Sequence, residues 1–271
     1  MTQRLVLITA SIMLMLSAAF GAIIMAPPAQ AASFTSLSNL KSGDLIRGES
    51  FTAVYYYGVD GFRYVFPNDK AYFTWYSNFD TVKWVTDADL TTIQIGGNVT
   101  YKPGVKMIKI NSDPRVYVVA KSGLIRAISS ETVAKALYGT TWNKQIDDVA
   151  DGFFSNYKIG GTIDDASMFS PTSEKAEAVD INFDKGLKAA VVVSITDTGY
   201  SPATLSVKAG TAVKFVNNGT TKHTASDDAG DWGTGTLNPG ESFSKYFKTA
   251  ASLNFHDVYG SAKATLTVTL N

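Results

Sequence analysis

The 271-residue chain has no cysteine. That absence excludes disulfides, thiolate metal sites, iron–sulfur clusters and cysteine nucleophiles together. Histidine is nearly absent too: His223 and His256 are the only two, so imidazole catalysis has little material to draw on. There is no excess charge of either sign, with 24 basic and 24 acidic residues, and nothing in bulk charge points to nucleic acid. No long apolar run follows Ala26, so the rest of the chain offers no second membrane span. What is plentiful is apolar and aromatic: 45% hydrophobic residues, with 13 Tyr and 15 Phe. That content supplies real cores and favours β-rich structure or a binding surface.

The first 31 residues read as an export signal. Arg4 is the only charge before Lys41, Leu5 to Ala26 is almost unbroken apolar sequence, and Pro27-Pro28 ends it. Ala29-Gln30-Ala31 is a small-x-small cleavage site. Cleavage after Ala31 is the first expectation, and an uncleaved membrane anchor is the alternative. Either way the remainder is secreted or held at the cell surface, outside the cytoplasm. Removing the signal takes away Arg4 and no acid, leaving one more acid than base. An exported chain without cysteine must be held by its cores.

Residues 32–161 contain an internal repeat, with copies at 43–97 and 105–161. Leu45-Ile46-Arg47 recurs as Met107-Ile108-Lys109, and at the same offset Val54-Tyr55 meets Val116-Tyr117, Gly61 meets Gly123 and Tyr76 meets Tyr138. Ile95-Gly96-Gly97 meets Ile159-Gly160-Gly161 after a slip of two. Each copy predicts a hairpin (Val54–Tyr57 and Phe62–Phe66; Val116–Ala120 and Leu124–Ile128) around Asp60-Gly61 or Ser122-Gly123. A helix follows, capped by Asn68 in the first copy and Ser129 or Ser130 in the second. The result is a small α+β unit, duplicated, too small for a core of its own, so the two copies are expected to pack together. The leading "LIR", "VYYYGVDGFRYVF", Trp75-Tyr76, Trp84 and the closing "IGG" resemble a repeat of exported and surface-attached bacterial proteins. That resemblance implies location more than chemistry.

Two other readings of this half compete with plain structure. The aromatics Tyr55, Tyr56, Tyr57, Tyr72, Trp75, Tyr76, Trp84 and Trp142 could form a glycan platform, but core packing explains most of them better, and Trp142 is expected to be buried. The acid pairs Asp87/Asp89, Asp147/Asp148 and Asp164/Asp165 sit near helix starts or in the connector, where caps explain them without a glycosidase site. The polar, aperiodic stretch 162–188 reads as a flexible linker and places the domain boundary.

From Ala189 the period changes to two. Short alternating strands with Gly, Pro and Asn turns over 189–271 predict a two-sheet sandwich. Three stretches in order resemble the cupredoxin (plastocyanin-like) family: "YSPATLSVKAGTAVKFVNNGTTKHTA", "GTGTLNPGESFSKYF" and "LNFHD…ATLTV". The resemblance implies an all-β Greek-key sandwich, with His223 at the family's first copper ligand. The rest of that site is missing. A blue-copper centre needs a Cys thiolate, two imidazoles and usually an axial Met. The resemblance puts Asp257 or, one residue away, His256 at the family's Cys position; strand alternation turns Leu253, Phe255 and Asp257 inward and His256 outward, and so favours Asp257. Tyr259, Gly260, Ser261 and Ala262 stand where a His-and-Met loop would be.

The expectation is therefore a two-domain, exported envelope protein. It would be a non-enzymatic binding or structural module with a degenerate copper site and no resident cofactor. Its partner would be a cell-wall or surface-layer component; nucleic acid is not expected, nor is a span in the mature chain unless the signal is kept. The rival is a copper- or zinc-binding protein with a site rebuilt around His223, with His256 and an acid, Asp257 first and Asp228 or Asp231 as alternatives. Signal cleavage is tested directly: N-terminal sequencing of the exported protein should begin at Ala32, whereas an intact Met1 end in the membrane fraction would establish the anchor.

Overall fold

The computed structural model describes residues 33–270; the proposed signal, 1–31, lies outside the described residues. The first half carries β1 (Leu45–Arg47), β2 (Tyr55–Tyr57), β3 (Arg63–Val65), α1 (Asp69–Trp75), β4 (Val82–Trp84), α2 (Asp87–Thr92) and β5 (Ile95–Asn98). These five strands form one sheet in the order β4-β1-β2-β3-β5. The β1–β2 and β2–β3 pairs are antiparallel, and the two outer pairs are parallel. Parallel pairing needs a crossover, and the segments carrying α1 and α2 supply it. Asn68 caps α1 by accepting the Ala71 N–H at 2.8 Å, as its position before the apolar stripe predicts.

The second sheet contains β6 (Met107–Ile110), β7 (Asp113–Ala120), β8 (Leu124–Ala127), β9 (Ile146–Asp148) and β10 (Lys158–Ile159). Its helices are α3 (Glu131–Tyr138), capped by Ser130, and the short α4 (Asp151–Phe154). The order is β10-β8-β7-β6-β9, with the same pairing senses as the first sheet. The two units pack on each other. Trp75 Nε1 donates to the Thr100 carbonyl, Lys102 N–H donates to Thr74 Oγ1, and Ala71 and Tyr101 join the core of the second sheet. Trp142 is half-buried against the Val133–Phe169 core, not fully buried as expected, because the 3-10 turn it begins runs along the surface.

Segment 162–188 differs from its reading as a flexible linker. It carries α5 (Pro171–Glu177) and α6 (Ile181–Lys185) and lies as a strap across both units. Ile163 and Phe169 enter the second unit's core, and Ile181 enters the first unit's core. Glu174 accepts the Lys121 N–H, and the buried Asp184 accepts the Ser122 N–H at 2.9 Å. The buried apolar residues Ile163, Phe169 and Ile181 join cores built by distant chain, while Met168, Val179 and Phe183 stay exposed, so the segment has no internal period to read.

The last part holds β11 (Val191–Thr196), β12 (Gly199–Ser201), β13 (Thr204–Lys208), β14 (Thr211–Asn217), β15 (Ser226–Asp227), β16 (Ser242–Phe247), β17 (Ala251–His256) and β18 (Lys263–Thr269). Two four-stranded sheets, β12-β11-β14-β16 and β13-β18-β17-β15, enclose a core built on Val193, Val213, Phe215, Phe255 and Leu266. This is the β-sandwich that the alternating pattern predicts.

The sandwich meets the first unit at a buried polar knot. Asp60, fully buried, accepts the Phe62 N–H at 3.2 Å, the Tyr64 hydroxyl, and the Tyr246 hydroxyl of β16 at 2.5 Å. Burial first, then the hydrogen bond to Asp60, pushes the Tyr246 pKa up to about 12, so it stays a protonated donor. Phe62 stacks on Tyr246 with ring centroids 5.0 Å apart. Gly61 is required here: its φ is +83°, and a Cβ would run into the Ser244 hydroxyl.

Asp60→Ala would strand two hydroxyls and one amide in a buried site. It should lower stability by several kcal/mol, at about 1–3 kcal/mol for each buried donor left without a partner. Calorimetry checks this. One transition moving as a whole marks a single cooperative body, whereas a shift in only one of two transitions would show that the halves unfold separately.

Candidate functional site

The end of the sandwich gathers three loops around one imidazole. His223 follows the turn after β14 and is 6% exposed, held by backbone bonds in both directions with Leu237. Asp257 is the residue after β17. Alternation along that strand buries Phe255, turns His256 outward and brings Asp257 in at 3% exposed. The Asp257 register expected from the sequence is the one observed. His223 Nδ1 lies 2.8 Å from Asp257 Oδ2. The other Asp257 oxygen accepts the Thr224 N–H at 2.9 Å and the Tyr259 N–H at 3.2 Å.

Asp197, in the turn between β11 and β12, closes the other side of the ring. Its Oδ1 is 3.1 Å from His223 Nε2. Asp197 also accepts the backbone N–H and hydroxyl of Thr220 and the hydroxyl of Thr221. Sequence reasoning did not single out Asp197. The only local signal is an acid in a Thr-Asp-Thr-Gly turn, and its partner is 26 positions away.

The charges follow from these contacts. For His223 burial is the largest effect and pulls the pKa down, but the hydrogen bonds to Asp257 and Asp197 outweigh it and the net shift is upward. For Asp257 burial would raise the pKa, but His223 and the Thr224 and Tyr259 amides bring it below the usual carboxylate value. Asp197 is also lowered, first by the Thr220 N–H and hydroxyl, then by His223. With both carboxylates ionised, only the imidazolium can donate to both.

This geometry decides two chemical questions. Thr221 Oγ1 is 3.3 Å from His223 Nε2, so a hydroxyl, an imidazole and a buried carboxylate stand in the order of a nucleophile relay. Asp197 competes with it: its Oδ1 takes the Thr221 hydroxyl proton and lies 3.1 Å from the same ring nitrogen that would have to accept that proton. The second question is copper. A type 1 centre needs a thiolate and two free imidazole lone pairs. Here both His223 nitrogens point at carboxylates, and the chain has no thiol. His256 lies on the outer face with Nδ1 2.6 Å from Asp228 Oδ1, apart from His223. Asp231 donates its N–H to Asp227. Of the expected set, His223 and Asp257 come together and His256 does not. Among the described residues no group of three or more His, Cys, Asp or Glu could hold a metal ion. The donor set does not fit copper.

The chain is similar in part to solved cupredoxins. A purple cupredoxin from Nitrosopumilus maritimus matches at 19% identity over 29% of this chain and 99% of its own, with a TM-score of 0.27. A copper-containing nitrite reductase from Thermus scotoductus SA-01 matches at 20% identity over 31% of this chain and 23% of its own, with a TM-score of 0.29. A reduced amicyanin mutant matches at 22% identity over 30% of this chain and 82% of its own, with a TM-score of 0.28. No protein-family model and no curated protein matches the chain.

The two ends of the pair set a stability window. His223, raised in the fold, contributes fully below the ordinary imidazole value of ~6.5, and this contribution is lost as pH rises through its folded pKa. Asp257, lowered in the fold, contributes fully above ~3.9 and loses its contribution as pH falls through its folded pKa. Stability from the pair is therefore greatest between those values. The thermal midpoint should fall as pH rises past ~6.5, and His223→Gln should flatten that alkaline limb. An unchanged alkaline limb in the variant would remove His223 from the account.

Proposed function

We propose that this is an exported cell-envelope protein that works as a non-enzymatic binding and structural module. The signal-like residues up to Ala31 support export, and the want of any thiol in an exported chain is consistent with cores held by packing and buried polar knots. The two α+β sheets of identical order are read as copies of one duplicated unit. The sandwich is read as a cupredoxin-like fold that has exchanged its metal for an ion pair. Cell-wall or surface-layer material is the partner class, and the locale is secreted or cell-surface.

One observation carries this reading: both nitrogens of His223 are taken by carboxylates, Asp257 at 2.8 Å and Asp197 at 3.1 Å. The ring has no lone pair to give to a metal or to a substrate proton while that pairing holds. The imidazolium supplies the positive charge that the two acids need, and it does so without a metal.

The test is Cu(II) and Zn(II) titration of the purified protein by calorimetry, with visible absorption recorded alongside. The expected result is no intense thiolate-to-copper band and no saturable 1:1 heat in the submicromolar range. A tight 1:1 site that disappears in His223→Ala would overturn the reading in favour of a rebuilt metal site.

A further inference from the structure

The first α+β unit carries an open aromatic groove that takes no part in the sandwich site. Two adjoining cavities of about 490 and 290 Å³ share Thr52, Val54 and Phe79. The larger runs past Phe66, Tyr72 and Asn68 to Phe153 of the second unit, and the smaller ends at Trp84 and Arg47. Phe79 is 48% exposed and stacks on Tyr72 with centroids 4.4 Å apart, and Phe73 leans edge-on against it. Apolar side chains left this open in a chain with well-filled cores mark a contact surface.

The chemistry of the lining narrows the occupant. Arg47 is already committed: its guanidinium lies 4.0 Å over the Trp84 ring and donates to the Phe51 and Gly48 carbonyls. Asp69 is the other charged side chain of the lining. An anionic ligand would thus meet a carboxylate and no spare cation. A wholly apolar ligand would desolvate the polar groups without partnering them. Those groups are open for use. Asn68 spends its side-chain oxygen on the Ala71 N–H, and its NH₂ and the Thr52 hydroxyl have no protein partner among the described residues. A ligand with apolar C–H faces and neutral hydroxyls meets each of these conditions.

We infer that this groove binds a neutral glycan strand, with sugar rings lying against Phe79 and its neighbours and hydroxyls bonded to the Asn68 amide, the Thr52 hydroxyl and Asp69. The inference deepens the binding-module reading and rests on it for the setting, while the two fail separately. Metal capture at His223 would overturn that reading and leave the groove intact.

The experiment is calorimetry of the purified full protein against cellohexaose, maltohexaose, mannohexaose and N-acetylchitohexaose. Saturable binding to at least one is expected. Phe79→Ala should weaken it at least tenfold. Asn68→Asp keeps an oxygen to cap α1 and replaces the NH₂ with a carboxylate oxygen that cannot donate; it should weaken binding several-fold without lowering the thermal midpoint. His223→Gln should leave binding alone. No saturable heat with any of the four overturns the inference, as does binding untouched by both groove variants. A concentration-dependent dimer abolished by Phe79→Ala would also overturn it, showing that a second copy fills the groove.

Discussion

Three buried carboxylates, each accepting from a donor on another element, hold the junctions of this protein. Asp60 ties the first unit to the sandwich through Tyr246, Asp184 ties the strap to the second unit through the Ser122 N–H, and Asp257 ties the sandwich end through His223 and two backbone amides. A buried carboxylate is costly to leave unpartnered, so each one tolerates only the arrangement that brings its donors to it. In a chain with no disulfide, apolar burial supplies the bulk of the stability and does not by itself fix how one element sits on another. The acids add that directional requirement. Asp184 shows the cost: burial is the largest influence on its pKa and raises it.

Legibility in the sequence followed the range of the forces involved. The cap at Asn68 was readable, and the second was narrowed to Ser129 or the observed Ser130, because the bonds span three residues and local composition announces them. The register of β17 was readable because alternation with Phe255 leaves Asp257 inside and His256 outside. The strap was not readable. Phe169, Ala178 and Ile181 are buried by partners far along the chain, and a polar, aperiodic stretch gives no hint of that. Asp197 was missed for the same reason, since nothing within its own turn reveals the imidazole it meets. The groove was half legible. The sequence drew attention to Tyr and Trp, yet Tyr56 and Tyr72 are core, and the exposed rings are Phe73 and Phe79.

The sandwich end joins a residue that closes an inward-facing strand to a histidine on a neighbouring loop. Beside the buried carboxylate of Asp257, the raised imidazole of His223 is the cation that the acid favours. Asp197 closes the network from the opposite side. It takes the second nitrogen and, with Thr220 and Thr221, binds the loop before His223 to the β11–β12 turn. The outcome is a network in which the histidine bonds to two acids and the acids bond further to Thr220, Thr221, Thr224 and the Tyr259 amide.

Closed networks and open ones differ in what they can recognise. A polar group that already has its partner gains little from a ligand, because the ligand must first displace an equally good bond. His223, Asp257 and Asp197 are in that position. Asn68, Thr52 and Phe79 are in the opposite one: an amide NH₂ and a hydroxyl without a partner among the described residues, and a half-exposed ring, line one depression. The sandwich end has the bonding of a structural joint. The groove on the first unit has no catalytic grouping, yet it retains the unsatisfied surface from which binding free energy is drawn.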